Sequence, residues 1–495
     1  MSASKDKLQR KQQIEAGTDK RTIAAKKAEA ERRKSNIRYT VVAVILVVAF
    51  AFIFIYNSTW PSKHMTAVTI GDESYTVAET NYYYSASYMN FYSNYYYYIT
   101  YGMFFDTSTS LAEQEYDEGM TWRDYFIEDA EESMRQVQIL YNAAQEAGYT
   151  VPEDELESYH ATLESIETGW ADNGYSSLAQ YLNLNYGKGV TMELIEEQLY
   201  RTFVASSYAS YLSDSYEYTT DELNTWYAEN AADYDEITYA YYSIYDDETE
   251  EPVDAQAIAD AVAGMTDEEF SAYLEENYDG ATAITATNAG SSLNETYAEW
   301  LLDDARQAGD VTVAADEEGG VTYVVMFVSR NTNDYKLANF RHILIMAEDA
   351  DEDGVYSEEE LAAAEARAQE IYDEWLAGDA TEDSFAALAD EYTEDSGSAG
   401  SGGLYEDVYQ GQMVTAIDEW LFDGARQTGD TIIVTNDGSY TGAHVVYYVG
   451  ESDMTYAESL ADSALRSEAY EAWMTEQEEQ NPITEKHIGM CGKNH

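Results

Sequence analysis

The feature that most constrains this chain is an uninterrupted apolar segment near its start. Tyr39–Tyr56 reads YTVVAVILVVAFAFIFIY, and Val41–Ile55 carries no polar side chain. Eighteen helical residues rise about 27 Å, which is enough to cross the hydrocarbon core of a bilayer. The segment therefore predicts one transmembrane helix over residues 39–56.

The charges on the two sides of this segment differ in sign. Residues 1–38 carry a net charge of +7, whereas the rest of the chain carries −76. The positive-inside rule places the basic tail in the cytoplasm and the bulk of the chain outside the cell membrane, with Tyr39, Tyr56 and Trp60 as interfacial aromatics. A cleaved signal peptide is the alternative, but its basic region is usually far shorter than this tail, and no A-x-A-like site follows Tyr56. A buried core helix would not explain the charge asymmetry.

Composition excludes several classes of function. The 495 residues have a formal net charge of −69, which excludes nucleic acid as a partner because phosphate binding needs a basic face. The single cysteine, Cys491, excludes an intrachain disulfide framework, a cysteine-rich zinc site and an iron–sulfur cluster. With 45% hydrophobic residues, the chain can form buried cores, and its length suggests about three domains.

Residues 66–234 are predicted to form a mostly helical domain. Capping-box patterns begin at Thr76 and at Thr219, each with a glutamate three residues later. The helix that follows Thr76 is rich in aromatic residues, and five of them share one face at helical spacing: Tyr84, Tyr88, Phe91, Tyr92 and Tyr95. This face is either an ordinary helix-packing surface, which the spacing alone favours, or a surface that binds unfolded chains.

Beyond residue 235, predicted strands and helices alternate, and one motif occurs twice. Glu299–Asp310 (EWLLDDARQAGD) closely matches Glu419–Asp430 (EWLFDGARQTGD). Each copy precedes a strand, an acidic-glycine turn and a second β-rich run. Residues 235–331 and 336–451 are therefore predicted to be two copies of one α+β module.

The second copy contains a series of short motifs in a fixed order. They are Phe340–Ile345 (FRHILI), Phe385–Ala389 (FAALA), Tyr392–Ser396 (YTEDS), Gly402-Gly403, Gly411–Val414 (GQMV) and Gly442–Val446 (GAHVV). In this order and spacing, they resemble the parvulin-type peptidyl-prolyl isomerases. The surrounding plan is similar to the extracytoplasmic foldases of the PrsA and SurA type, in which a helical chaperone domain is built from both ends of the chain around one or two parvulin modules.

The resemblance implies an α+β chain with six parts. These are a cytoplasmic tail (1–38), a transmembrane helix (39–56), a helical chaperone-like domain (66–234), a degenerate parvulin-like module (235–331), an isomerase module (336–451), and a C-terminal helix and tail that return to the chaperone-like domain (455–495). It implies a membrane-anchored foldase that isomerises X-Pro bonds without a cofactor. Its partners would be unfolded or exported polypeptides that contain proline.

The resemblance also implies a site in the second copy. Catalytic roles map to His342, Asp395, His444 and Thr441. The apolar socket for the proline ring maps to Met413, Ile417 and Phe422. The alternative is that the two strand histidines only hold the sheet together. Two departures from the family pattern are Leu404-Tyr405-Glu406 after the paired glycines, and Ile417 where an aromatic residue is common.

The first copy is expected to be inactive. No histidine occurs between His160 and His342, and Tyr323 stands at about the place of His444. Its expected role is to bind client chains, to act as a spacer or simply to pack within the fold.

An acidic loop follows the first strand of the second copy. Asp349–Glu360 fits the EF-hand pattern D-x-D-x-D-G-x₅-E. The pattern predicts a calcium site with five ligands: Asp349, Asp351, Asp353, the Val355 carbonyl and Glu360. The alternative is a solvated loop in which Ser357 and Glu360 form a capping box. Because phospho-specific parvulins carry basic residues in this stretch, an acidic loop should repel phosphoserine-proline and favour neutral or basic residues beside the proline.

Two other functions remain open from the sequence. One is a non-catalytic chaperone or binding module on a parvulin scaffold. The other is a calcium-dependent surface scaffold.

Overall fold

The fold combines helices with small antiparallel sheets. The computed structural model describes residues 2–245, 253–350 and 355–492. The first part of the chain contains α1 Ser2–Glu15, α2 Lys20–Asn57, α3 Trp60–His64, β1 Thr66–Ile70, β2 Glu73–Thr76, α4 Val77–Asn94, α5 Tyr96–Thr100, β3 Glu115–Asp117, β4 Met120–Thr121, α6 Trp122–Ala147, α7 Glu153–Asp172, α8 Leu178–Asn185 and α9 Met192–Asp214.

The rest of the chain alternates strands with shorter helices. It contains α10 Thr220–Tyr234, β5 Glu236–Tyr245, α11 Ala255–Val262, α12 Asp267–Asn277, β6 Ile284–Ala289, α13 Ala298–Leu302, β7 Val311–Asp316, β8 Val321–Asn331, β9 Lys336–Met346, α14 Glu358–Ala377, α15 Glu382–Tyr392, β10 Leu404–Val408, α16 Thr415–Leu421, β11 Thr431–Asn436, β12 Gly442–Thr455, α17 Tyr456–Gln480 and β13 Ile483–Glu485.

The apolar segment lies in the long helix α2, which begins at Lys20 rather than at Tyr39. Asp19 caps its first turn by accepting hydrogen bonds from the backbone N–H groups of Arg21 and Thr22. None of the described side chains of α2 is buried, which contradicts a core helix. Within the described residues, this is the one helix long and apolar enough to cross a membrane.

The chain divides into two compact units. One comprises the described residues up to Ser215 together with those from Ala469 onward, and the other comprises residues 216–468. Helix α17 therefore contributes its first half to one unit and its second half to the other.

The first unit has a core between α4, α6 and α9. Its central buried side chains include Tyr84, Phe126, Met134 and Ile195. Strand β13 pairs antiparallel with β1, in the order β13-β1-β2, so the late part of the chain completes a sheet begun by the early part. Arg123 on α6 also donates to the carbonyl of Cys491 from Nε and Nη2, at 3.0 and 2.6 Å.

The aromatic face on α4 serves packing. Tyr88, Phe91 and Tyr92 lie against the core, and the ring of Phe91 contacts those of Trp122 and Phe126 with centroids 5.3 and 5.5 Å apart. The predicted single helix also breaks at Tyr95, between α4 and α5. The helix-packing alternative therefore accounts for four of the five aromatic residues, whereas Tyr95 is 41% exposed.

The second unit contains two four-stranded antiparallel sheets with the same order. They run β6-β5-β8-β7 and β10-β9-β12-β11. In each, two helices follow the first strand and a short helix precedes the third. The second sheet is packed on both sides, by α14 and α15 on one face and by α16 on the other.

Candidate active site

The two central strands of the second sheet bring two histidines onto one face. His342 lies on β9 opposite Val446, and His444 lies on β12 opposite Leu344. The histidines are diagonal neighbours in the antiparallel pair, where side chains are within reach of one another. Their rings are nearly parallel, with centroids 5.6 Å apart, and their Nδ1 atoms are 3.4 Å apart.

Asp395 joins the histidines from the loop that follows α15. Its Oδ2 accepts hydrogen bonds from Nε2 of His342 at 2.8 Å, from the Ser398 hydroxyl at 2.5 Å and from the Tyr405 hydroxyl at 2.8 Å. Its Oδ1 accepts from the backbone N–H of Gly397 at 3.0 Å. Burial raises the pKa of Asp395, but these hydrogen bonds outweigh it and hold the pKa well below its usual range. Asp395 is therefore a buried carboxylate.

Both histidines are neutral near pH 7. Burial lowers the pKa of His342, and the hydrogen bond to Asp395 offsets only part of that effect. Burial, and then the charge of His342, lower the pKa of His444 to about 4. Because an ionised Asp395 can only accept, Nε2 of His342 carries its proton and its Nδ1 is an acceptor.

The same reasoning applies to the contact between the two histidines. In that contact Nδ1 of His444 is the donor, because Nδ1 of His342 is bare. A hydrogen bond with the backbone of Tyr440 also raises the pKa of His444, against the larger effect of burial. Among the described residues, Nε2 of His444 is buried and has no hydrogen-bond partner with acceptable geometry. The chain of hydrogen bonds from Asp395 therefore ends at the ring of His444.

These polar groups form one end of a cavity of about 380 Å³. The apolar wall consists of Leu344, Met413, Val414 and Ile417. Gln412, Ser439 and Tyr440 complete the lining. A ring the size of a proline side chain fits such an apolar pocket beside a few fixed polar groups.

Five predicted site residues line this cavity, and two do not. His342, Asp395, His444, Met413 and Ile417 meet there. The hydroxyl of Thr441 donates instead to the carbonyl of Gly438 at 2.5 Å, where it holds the turn before β12. The ring of Phe422 lies on that of Tyr335, with centroids 5.6 Å apart. Thr441 and Phe422 therefore lie outside the described lining of this cavity, and their roles in the site stay predictions.

Sequence reasoning missed Tyr405 and Ser398, both of which hydrogen-bond to Asp395. In the sequence, Tyr405 is only a departure from the family pattern. Its position depends on the preceding glycine pair, because Gly403 has φ +69° and a side chain there would lie 2.2 Å from the carbonyl oxygen of His342. The paired glycines therefore let β10 run close beside β9 and deliver Tyr405 to the site.

The acidic loop is described only in part. Asp351 and Asp353 lie outside the described residues. Glu360 is engaged as the capping box of α14: its carboxylate accepts from the backbone N–H of Ser357 at 2.8 Å and of Ala350 at 2.7 Å. In the described part of the chain, no group of three or more metal-binding side chains is present. The capping-box alternative is therefore realised, and the calcium site stays a prediction.

The strand register identifies the counterpart of His444 in the first sheet. His444 lies opposite Val434 on β11, and Tyr323 lies opposite Ala314 on β7. The repeated Gly-Asp that immediately precedes both edge strands aligns Val434 with Ala314. Tyr323 therefore occupies the place of His444.

The same alignment identifies the counterpart of His342. Val325 on β8 takes the place of Val446, and Tyr241 lies opposite Val325 on β5. Tyr241 therefore stands where His342 stands, and the rings of Tyr241 and Tyr323 lie 6.4 Å apart. Tyrosine rings replace both histidines in the first sheet.

A comparison with protein families identifies the part of the chain that contains this site. A family model described as Rotamase, PPIC-type PPIASE domain, matches residues 342–449. No curated protein matches the chain. These matched residues contain every group that lines the cavity.

Solved structures of PrsA proteins show a weaker likeness. PrsA from Bacillus subtilis is 13% identical, with a TM-score of 0.29 over 73% of this chain and 87% of that one. The peptidylprolyl isomerase PrsA from Bacillus anthracis is 10% identical, with a TM-score of 0.20 over 70% and 93%. The foldase protein PrsA from Streptococcus pneumoniae is 13% identical, with a TM-score of 0.20 over 45% and 82%. TM-scores this low establish no common overall fold.

Proposed function

Because residues 342–449 form a PPIC-type peptidyl-prolyl isomerase domain of the parvulin type, we propose that this chain is a membrane-anchored extracytoplasmic foldase whose second module isomerises X-Pro bonds. The observation that supports the proposal is the meeting of the Asp395–His342–His444 hydrogen-bond chain with an apolar pocket. The clients are unfolded or exported polypeptides that contain proline.

The reaction makes and breaks no covalent bond. Its barrier of about 18–20 kcal/mol arises because the amide loses resonance as it twists. A catalyst lowers this barrier by binding the twisted amide better than the planar one. The wall formed by Met413, Val414 and Ile417 holds the proline ring and excludes water from it.

The buried carboxylate supplies the polar contribution. In a planar amide, resonance places negative charge on the carbonyl oxygen, and twisting removes part of that charge. A carbonyl oxygen near the ionised Asp395 is therefore destabilised most in the planar state. Since four donors already engage Asp395, its second role is positional: it fixes the tautomers and orientation of the two histidines.

The charges around the cavity select among substrates. No lysine or arginine lines the described part of it. Arg341 is nearby on β9, but it is engaged by Glu382 and by the carbonyls of Ser401 and Gly402. With no free cation to receive a phosphate, the site favours neutral or basic residues beside the proline over phosphoserine.

The first module has a different role. Tyr239, Tyr241, Tyr297 and Tyr323 form an aromatic cluster, with the rings of Tyr297 and Tyr323 5.4 Å apart. Tyr297 occupies the place of Ile417 in the repeat. These rings fill the region that is a cavity in the second module, so the first module is a degenerate parvulin-like domain without isomerase activity.

The test is isomerisation of a proline-containing tetrapeptide by the full chain. Wild type should accelerate the reaction, and Asp395→Ala and Met413→Ala should each lose most of the acceleration. Tyr323→Phe in the first module is the matched control and should retain it. No acceleration by a folded wild-type chain would refute the proposal and would favour a non-catalytic chaperone on the same scaffold.

A further inference from the structure

A groove in the first unit begins immediately after the apolar helix. It has a volume of about 700 Å³, and Thr59 and Lys63 form one side of it. Its apolar surface comes from Leu178 and Leu182 on α8 and from Val190 and Met192 at the start of α9. The size is that of a small-molecule site.

Chain length determines where this groove lies. Helix α2 ends at Asn57, and Lys63 is six residues later. Six residues reach at most about 20 Å, and part of this stretch is the compact helix α3. Lys188 also donates from Nζ to the carbonyl oxygen of Asn57 at 2.9 Å, which fastens the α8–α9 loop to the end of α2. If α2 crosses the membrane, the groove therefore lies at the outer surface of the bilayer.

The aromatic residue beside the groove fits this location. Trp60 is 55% exposed, and its ring stacks on His64 with centroids 4.9 Å apart. An exposed tryptophan just past an apolar span is typical of the membrane–water interface.

The charge of the groove differs from that of the surrounding chain. Residues after the apolar segment carry a net charge of −76, yet none of the described lining residues is acidic. Lys63 is the one lysine or arginine between Ile55 and Arg123, and Lys188 is the one between Arg135 and Arg201. Both lie at this end of the unit, where the backbone N–H of Lys486 also donates to the carbonyl of Ala67, so basic residues gather near the expected lipid headgroups.

We propose that this groove binds one anionic phospholipid of the outer leaflet. Its phosphate lies beside Lys63 and Lys188, and its glycerol and upper acyl carbons lie against Leu178, Val190 and Met192. The inference rests on the membrane anchor of the proposed function. Bound in this way, the lipid holds the first unit on the membrane surface in spite of the acidic chain around it.

Native mass spectrometry of the full chain, released from nanodiscs of equal parts neutral and anionic phospholipid, tests the proposal. Wild type should retain anionic lipid. Lys63→Gln with Lys188→Gln should lower its apparent affinity by about 30-fold, since each lysine near a membrane surface contributes about fivefold. Arg367→Gln, which removes an exposed basic side chain from α14 in the second unit, should have no effect. The pair Lys63→Arg with Lys188→Arg should retain the lipid.

The outcomes separate the groove from the anchor and from catalysis. The groove proposal would be overturned if all variants retained lipid equally, or if a second chain or a polypeptide occupied the groove instead of lipid. In either case the chain would still insert into the nanodisc, so the membrane anchor would not be contradicted. Failure of the chain to enter nanodiscs would overturn both the anchor and the groove. Tetrapeptide isomerisation on the same samples should be unchanged by the lysine substitutions, and its absence in wild type would count against the isomerase alone. Circular dichroism of each variant shows that it is folded.

Discussion

Asp395→Ala removes the acceptor of four hydrogen bonds at once. Three come from side chains, those of His342, Ser398 and Tyr405, and one comes from the backbone N–H of Gly397. His342 is only 3% exposed, so water replaces the lost carboxylate poorly at its Nε2–H. In the variant, the Nε2–H group of His342 is then a buried donor without an acceptor, beside the two central strands.

The magnitude follows from these contacts. A hydrogen bond to a charged group contributes about 1.5–3 kcal/mol, and a buried donor left unsatisfied costs about 1–3 kcal/mol. Water can reach Tyr405 more easily than His342 because Tyr405 is only partly buried. The expected net cost is about 3–5 kcal/mol in the free energy of local opening, as for one partner lost from a buried pair.

Hydrogen exchange of the full chain measures this cost where it should appear. A loss of about 3–5 kcal/mol corresponds to amide exchange in β9 and β12 faster by about 10²- to 10⁴-fold. Peptide isomerisation should fall by about 100-fold in the same variant. The first sheet, β5 and β8, should keep its exchange rates and serves as an internal reference.

Glu365→Gln is the matched control, because it removes an exposed carboxylate from α14 in the same module. It should change neither exchange nor activity. If Asp395→Ala left exchange in β9 and β12 at the wild-type rate, the hydrogen-bond chain would not hold the strands. If activity also stayed at the wild-type level, Asp395 would have no part in the reaction.

Four further predictions concern acid, the socket, calcium and topology. Burial lowers the pKa of His444 to about 4, so between pH 6.5 and 4 the unfolded chain binds a proton that the folded module does not. The free energy of unfolding should therefore fall by about 3 kcal/mol as the pH drops from about 6.5 to 4. Hydrogen exchange measures this loss. Met413→Ala should weaken tetrapeptide binding, measured as an increase in KM, by about 2–4 kcal/mol, whereas Phe422→Ala should lower stability and leave KM unchanged. Isothermal titration should show calcium binding in the range of about 10⁻⁵–10⁻³ M that is lost in Asp349→Ala with Glu360→Gln; binding that survives in this variant would place the site elsewhere. Protease added to spheroplasts should digest the chain beyond about residue 60 and spare the basic tail, and full protection of the acidic part would contradict the proposed topology.

Local signals in the sequence predicted local structure well. The capping boxes at Thr76 and Thr219 are both present, because all their atoms lie within one helical turn. The repeated motif pointed to two modules, and both sheets have the same strand order for the same reason. The break between α4 and α5 at Tyr95 has no comparable signal, since tyrosine neither stops nor favours a helix strongly.

The family pattern predicted the site residues that belong to its motifs. It did not predict the residues whose place in the site depends on three-dimensional contacts. Thr441 precedes β12, and its side chain is held by the turn through the carbonyl of Gly438, a placement that strand periodicity does not predict. Phe422 follows the last residue of α16, so the helical periodicity that places Ile417 does not extend to it. Ser398 and Tyr405 reach Asp395 through a loop and a glycine-dependent strand, and neither placement has a periodicity that the sequence displays.

The pairing of β1 with β13 sets the order in which the first unit can fold. Val68 and Glu485 are partners across about 400 residues of intervening chain, which includes both modules of the second unit. Closing so long a loop through unfolded chain is entropically costly, whereas folded modules shorten the effective distance. In the proposed topology, a chain exported from its N-terminal end would keep β1 beside the membrane with one edge unpaired until β13 had also crossed. In that topology, a nascent copy would for that period itself be a partly folded exported polypeptide.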